Sequence, residues 1–321
     1  MMAKNKDEII AKQIEHTKKR VLAHIAKNVE DDAAYKEELI KLYNRTRVRI
    51  EKELAALYLR YAAKEGLTMD EAMLRISRFD ADAFSKKSAE LAKNQDFSEE
   101  ANALLRQHNL KIRVSRLELM KRVMLLETVQ LADREIKMLH TKLIEKAEKE
   151  AERRANILRL SKETRQSIIK NAERIVLASF YSATFAQRIW ANHTKLTNRL
   201  SEGLERSILQ GENPGAWARN FRDLLTKEMA DTGKENALYA ANRIAVTETA
   251  RVQSETAQES FRKGGFEKMI WITEMDERTC DVCGPMDGEI FDVDGAQIGG
   301  ELPPMHPFCR CSVAAYYERE S

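Results

Sequence analysis

The first 202 residues contain one glycine, Gly66, and no proline. These two residues end helices and open turns, so a stretch this long without them reads as a succession of long helices. All five prolines and the other eleven glycines come later. The last sixty residues therefore read as turns and short strands, joined to a long helical N-terminal region.

Local signals place several helix boundaries. In "EGLTMDEAM", Gly66 suits the residue after a helix, and Thr68 with Glu71 has the spacing of a capping box. Ser98 in "NQDFSEE" is a further N-cap. In "GENPGAW", Gly211 closes a helix, Asn213 caps the next and Pro214 takes its first turn. Between residues 112 and 155 no breaker occurs. There Val129, Ile136, Leu139 and Leu143 step by seven, three and four, a seam for a helix of this chain or of a neighbouring protein. A second helical pattern runs over 165–210, with Ile189, Leu196, Leu200, Leu204 and Ile208 on one face and Trp190 beside it. Further helices are expected after Pro214, carrying Trp217, Phe221, Leu224 and Leu225, and over about 235–262. No repeat with a period of 20–50 residues is visible.

The texture then changes. "EKMIWITEM" alternates Met269, Trp271 and Thr273 against Ile270 and Ile272, the period of a strand. "GEIFDVDG" is a shorter strand between glycines, and "CRCSVAAYY" is a third. The expected fold class is mainly α, with a long helical N-terminal region followed by a small α+β domain with a short β-sheet.

A third of the residues are charged, and no apolar run is long enough for a membrane span. The opening "MMAKNKDEII" has no apolar region after its basic residues, so a signal peptide is not expected and a reducing compartment is. Residues 1–160 hold 34 Lys and Arg against 27 Asp and Glu, a net of +7 within a chain of formal net charge +3. A basic half can contact nucleic acid or an acidic partner, although charges alternating in sign are also what a solvated helix face carries.

All four cysteines, and the single histidine after residue 193, fall within residues 280–311. "CDVC" offers Cys280 and Cys283, and "HPFC" offers His306 and Cys309 at the same spacing. Each turn presents two donors to one ion, and zinc takes four such donors in a tetrahedron. Cys311, two residues after Cys309, is a fifth candidate, so four of these five form the site. Either His306 or Cys311 completes it. A redox Cys-x-x-Cys lacks the surrounding βαβ pattern. A catalytic zinc lacks the His-x-Glu of the deaminases and the His-Glu-x-x-His of the metalloproteases. No catalytic residue is expected, and the ion reads as a structural staple. His16, His24, His108, His140 and His193 have no ligand spacing and read as surface or packing residues. "DVDG" reads as a turn.

Five segments, in order, carry a resemblance: the helix over 188–204, "GENPGAWARNF", "NRIAVTETARVQSETA", "WITEMDERTCDVCGPMDG" and "PPMHPFCRC". Together, over 182–317, they resemble the head-morphogenesis domain of the phage Mu protein F-like family, the minor head or minor capsid proteins of tailed phages. The resemblance implies a domain over 166–321, with the metal-binding tail at 267–317, preceded by a helical extension over 1–165. In the family's Asp-x-Arg-Thr-Cys segment, Asp276, Arg278 and Thr279 would fix the turn that holds the ligands. Where the family has Arg-Thr-Glu, this chain has Val246, Thr247 and Glu248, and Arg243 or Arg251 would offer the charge one turn away. The implied role is head assembly and not catalysis. The protein would associate with the portal, enter the procapsid, and meet capsid or scaffolding proteins. It would lie in the virion, inside the capsid or at the portal vertex, after assembly in the host cytoplasm. Double-stranded DNA, contacted during packaging or ejection, is a further implied partner.

Overall fold

The structure, a computed structural model, describes residues 2–61, 68–94, 99, 101–102, 115–210 and 236–317, with side chains from residue 14 onward except at 92 and 94. Helix α1 runs over Met2–Tyr61, α2 over Met69–Met73, α3 over Arg78–Asn94 and α4 over Arg116–Leu158. Helices α5 (Lys162–Lys170), α6 (Ala172–Leu177), α7 (Phe185–Leu209) and α8 (Ala237–Lys263) follow. The strands are β1 (Lys268–Ile272), β2 (Ile290–Asp292) and β3 (Ser312–Tyr316). A helical N-terminal region and a small C-terminal sheet are thus both present. Among the described residues no helix is long and apolar enough to cross a membrane.

The capping box is formed. The Thr68 hydroxyl accepts from the Glu71 N–H, and the Glu71 carboxylate accepts from the Thr68 N–H at 2.9 Å. The continuous pattern over 165–210 is broken, however, at Asn171 and across 178–184. Tyr181 and Ser182 have φ of 45° and 65°, a left-handed pair that no α-helix continues through. Gly66, Ser98, Gly211, Asn213, Pro214 and the expected helix with Trp217, Phe221, Leu224 and Leu225 lie outside the described residues, as does His108.

The chain forms two compact units. One comprises Glu37–Met138 and Ala186–Asn242. Its core is helical. Ile189, Leu196, Leu200, Leu204 and Ile208 of α7 are all buried, as the spacing requires, together with Tyr43, Ile50 and Leu54 of α1 and Met120, Met124 and Val129 of α4. Each fully buried apolar side chain contributes roughly 1.5–3 kcal/mol. A polar link runs through this core. The Tyr43 hydroxyl donates to Glu135 at 2.7 Å, and His193 Nε2 lies 2.8 Å from the same carboxylate. His193 therefore packs and pairs inside the bundle.

The other unit comprises Met1–Lys36, Leu139–Phe185 and Arg243–Ser321. Its sheet has the order β2-β1-β3, with both neighbours antiparallel to β1. The alternation in β1 separates two cores. Met269 and Trp271 join Ala257 and Phe261 of α8, Val313 of β3, Leu302, Cys283 and Cys309. Ile270 and Ile272, with Ala314, meet Val21 and Ile25 of α1. The 165/166 boundary divides the chain by motif content, whereas this core draws on residues from both sides of it.

Candidate metal centre

The first cysteine pair sits on a turn that leaves the end of β1. The Thr279 hydroxyl donates to the Glu274 carbonyl at 2.6 Å and accepts from the Asp276 N–H at 3.1 Å. The Arg278 N–H donates to the Asp276 carboxylate at 3.0 Å. Asp276, Arg278 and Thr279 thereby fold the chain back into Cys280. The Cys283 N–H then points at Cys280 Sγ, 3.4 Å away, as a Cys-x-x-Cys turn needs if both sulfurs are to face one point. Burial cannot do this work on so short a loop, and local hydrogen bonds do it instead.

The second arm approaches through the cis Pro303–Pro304 bond and the left-handed Phe308. The Phe308 N–H donates to the Thr247 hydroxyl of α8 at 3.3 Å, and the Cys309 N–H to the His306 carbonyl at 3.1 Å. His306 Nδ1 faces the Pro307 carbonyl at 2.8 Å and donates to it. Its Nε2 is left pointing at Cys280 Sγ and Cys283 Sγ, at 3.2 and 3.4 Å. Anchoring one ring nitrogen in this way orients the other for a metal.

All five expected donors are brought together. Cys280, Cys283 and His306 form one triad whose donor atoms lie within 4.8 Å of one another, and Cys283, Cys309 and Cys311 form another. Cys283 belongs to both. Its sulfur lies 3.9 Å from that of Cys309. Two sulfurs at about 2.3 Å from one tetrahedral ion would be about 3.8 Å apart, so the spacing suits a metal. His306 stands with the first cysteine pair, and Cys309 and Cys311 both stand beside Cys283.

The donors also polarise one another. Cys309 is drawn down to about 5, first by its hydrogen bond with Cys311, then by backbone N–H groups and His306. Cys311 is raised by that same bond and by burial. The N–H of Cys283 lowers the Cys280 thiol, while burial pushes Cys283 up to about 12. A thiolate is the form a metal binds.

Two residues escaped the sequence reading. Arg310, between the last two cysteines, donates to Glu274 at 2.6 Å and to Asp276 at 2.7 Å, locking the second arm onto the first turn. That pairing is the leading cause of the lowered carboxyl of Asp276. An arginine flanked by two ligand candidates was the available signal. Thr273 accepts from Trp271 Nε1 at 2.9 Å and donates to the Cys283 carbonyl at 3.0 Å. It ties the sheet to the cluster, and its alternation with Met269 and Trp271, one residue past β1, was the hint.

On α8, Glu248 pairs with Arg251 at 2.7 Å. Arg251 is fully buried and donates to the carbonyls of Ile175 and Val176 at 2.9 and 3.1 Å. It thus adds a donor to two carbonyls in the last turn of α6, where the Ile175 carbonyl also accepts from the Ala178 N–H at 3.3 Å. Arg251, one of the two arginines weighed as substitutes for the missing one, pairs with Glu248.

The class defined so far is a mainly helical protein with a cysteine–histidine cluster, able to hold a metal, at one end of a small sheet. Residues 198–314 match the family model described as Phage Mu protein F like protein. That segment, which contains all five donors, is similar to the Mu protein F-like family. No curated protein and no solved structure matches the chain.

Proposed function

We propose that this is a minor head protein that associates with the portal and is built into the procapsid, and that its cluster holds one structural zinc ion. Carrying the reading is a coincidence of place: the family match and the five donors fall in the same segment. Cys280, Cys283 and His306 would supply three ligands, and Cys309 or Cys311 the fourth. The ion would contribute folding free energy to a sheet whose strands are only three to five residues long. In this reading 166–321 acts as the head-morphogenesis domain and 1–165 as the extension that meets the portal, capsid or scaffolding proteins. Co-purification with portal from infected cells, and recovery in procapsids and virions, tests the role. Absence from both refutes it. Elemental analysis should find about one zinc per chain.

Contact with packaged or ejected DNA is the second reading, and it rests on the net +7 of residues 1–160. Several of those cations are already paired, among them Arg49 with Glu127, Lys87 with Glu53, Lys142 with Asp32 and Lys146 with Asp31. That leaves fewer charges for phosphates. DNA binding that weakens steeply with salt would favour this reading.

A further inference from the structure

A cleft of about 470 Å³ is bounded by the end of α6, the 178–184 loop, α8 and the loop before Leu302. Its volume is in the range that binds ligands, roughly 300–1,000 Å³. Most of its charges are compensated in place. Glu255 pairs with Arg251 at 3.0 Å, Glu259 with Lys263 at 3.2 Å, and Arg262 with Asp294 at 2.8 Å. Arg174 differs. It is exposed on α6 and, among the described residues, makes no hydrogen bond or ion pair, acting on Glu255 and Glu259 only through space.

The opposite rim is aromatic. Tyr181 is 68% exposed and stacks 4.4 Å from Phe180. Its hydroxyl lies so close to Gly299 that a Cβ there would come within 2.3 Å of it. Both Tyr181 and Ser182 hold left-handed backbone, a strain kept where surroundings impose it and common at ligand clamps. The strain presents a large apolar ring at the mouth of a cleft with one unpaired guanidinium, beside Ile298 and Leu302.

We infer that this cleft receives an extended peptide segment of a partner protein, with a carboxylate on Arg174 and an apolar side chain against Tyr181 and Ile298. Charge separates this partner from nucleic acid. Two carboxylates, Glu255 and Glu259, line the same cleft as Arg174 and would repel a polyanion laid across it. A single carboxylate flanked by apolar groups forfeits far less. The inference is independent of the metal and of the portal.

The test uses the full chain with labelled Ile and Leu methyl groups, followed by NMR. Acetylated, amidated Gly-Leu-Asp-Leu-Gly, its Lys counterpart and a short DNA duplex serve as probes. The Asp peptide should shift the methyls of Ile175, Ile298 and Leu302 saturably, and the Lys peptide should bind about tenfold more weakly. Arg174→Gln should remove that preference, and Tyr181→Ala, at an exposed position, should weaken both peptides. Absence of methyl shifts with the Asp peptide overturns the inference, as does an Arg174→Gln protein that still prefers it. Preferential binding of the duplex would give the cleft to nucleic acid instead.

Discussion

Helix α7 and the segment from Thr273 to Cys311 keep their shapes by different means. Along α7 one spacing rule places Ile189, Leu196, Leu200, Leu204 and Ile208 in the core, and each contributes a similar share. Between Thr273 and Cys311 the strand structure is the three-residue β2. There the path depends on single contacts: Thr279 on Glu274, Arg310 on Asp276, His306 and Cys309 on Cys283. Stability is distributed in the first case and concentrated in the second. A change in α7 should cost its own share, whereas a change at the cluster should release a whole arm.

The largest effect should come from the donor shared by both triads. Cys283→Ser, or a strong chelator, should raise hydrogen exchange across β1 and β3 toward the unprotected rate while α7 keeps its protection. Structural zinc contributes roughly 10–16 kcal/mol in isolated finger peptides, more than so small a sheet can replace. If β1 stays protected after complete metal removal, the concentrated half of the comparison is wrong. Next in size is Leu200→Ala, at a fully buried position. It should lower unfolding stability by about 2–5 kcal/mol and leave metal content at its original value, as urea titration and elemental analysis would show.

Arg310→Gln sharpens the contrast without removing a ligand. It breaks the clamp on Glu274 and Asp276, so metal affinity should fall by about 10–100-fold, the usual cost of losing a group that orients ligands. Competition with a zinc indicator would measure it. An unchanged affinity would mean that the turn holds its shape through Thr279 alone.

The same contrast explains what could be read from the chain. Period and spacing identified the α7 seam, the β1 alternation and the five donors, because each is a repeated or closely spaced signal. The break at Tyr181–Ser182 was not legible, since neither residue is a glycine and its cause lies in contacts such as that with Gly299. Nor was the second face of β1. Ile270 and Ile272 were seen to alternate, but nothing local shows that Val21 and Ile25, some 250 residues earlier, cover them. Arg310 hid for the same reason, as its partners lie more than thirty residues upstream.

The smallest effect should be a pH dependence carried by Glu150 of α4, in the same compact unit as the sheet. Burial pushes its carboxyl up, but Arg154 and Arg153 outweigh burial and hold it well below the usual range. Arg154 is itself buried, 2.6 Å from that carboxylate, with its guanidinium over the Phe261 ring at 5.1 Å. A carboxyl depressed on folding stabilises fully above its unfolded value, near 4.5. That contribution fades as pH falls from there toward the depressed folded value. Thiolate ligands also lose metal in acid, so wild type alone cannot separate the two causes. Comparison with Glu150→Gln at each pH does. The difference in unfolding free energy between the two proteins should be largest at pH 7 and shrink steadily below about 4.5. A difference that stays constant down to pH 3 would show that the Glu150–Arg154 pair is not what acid breaks, and would leave the cluster as the acid-sensitive element of this unit.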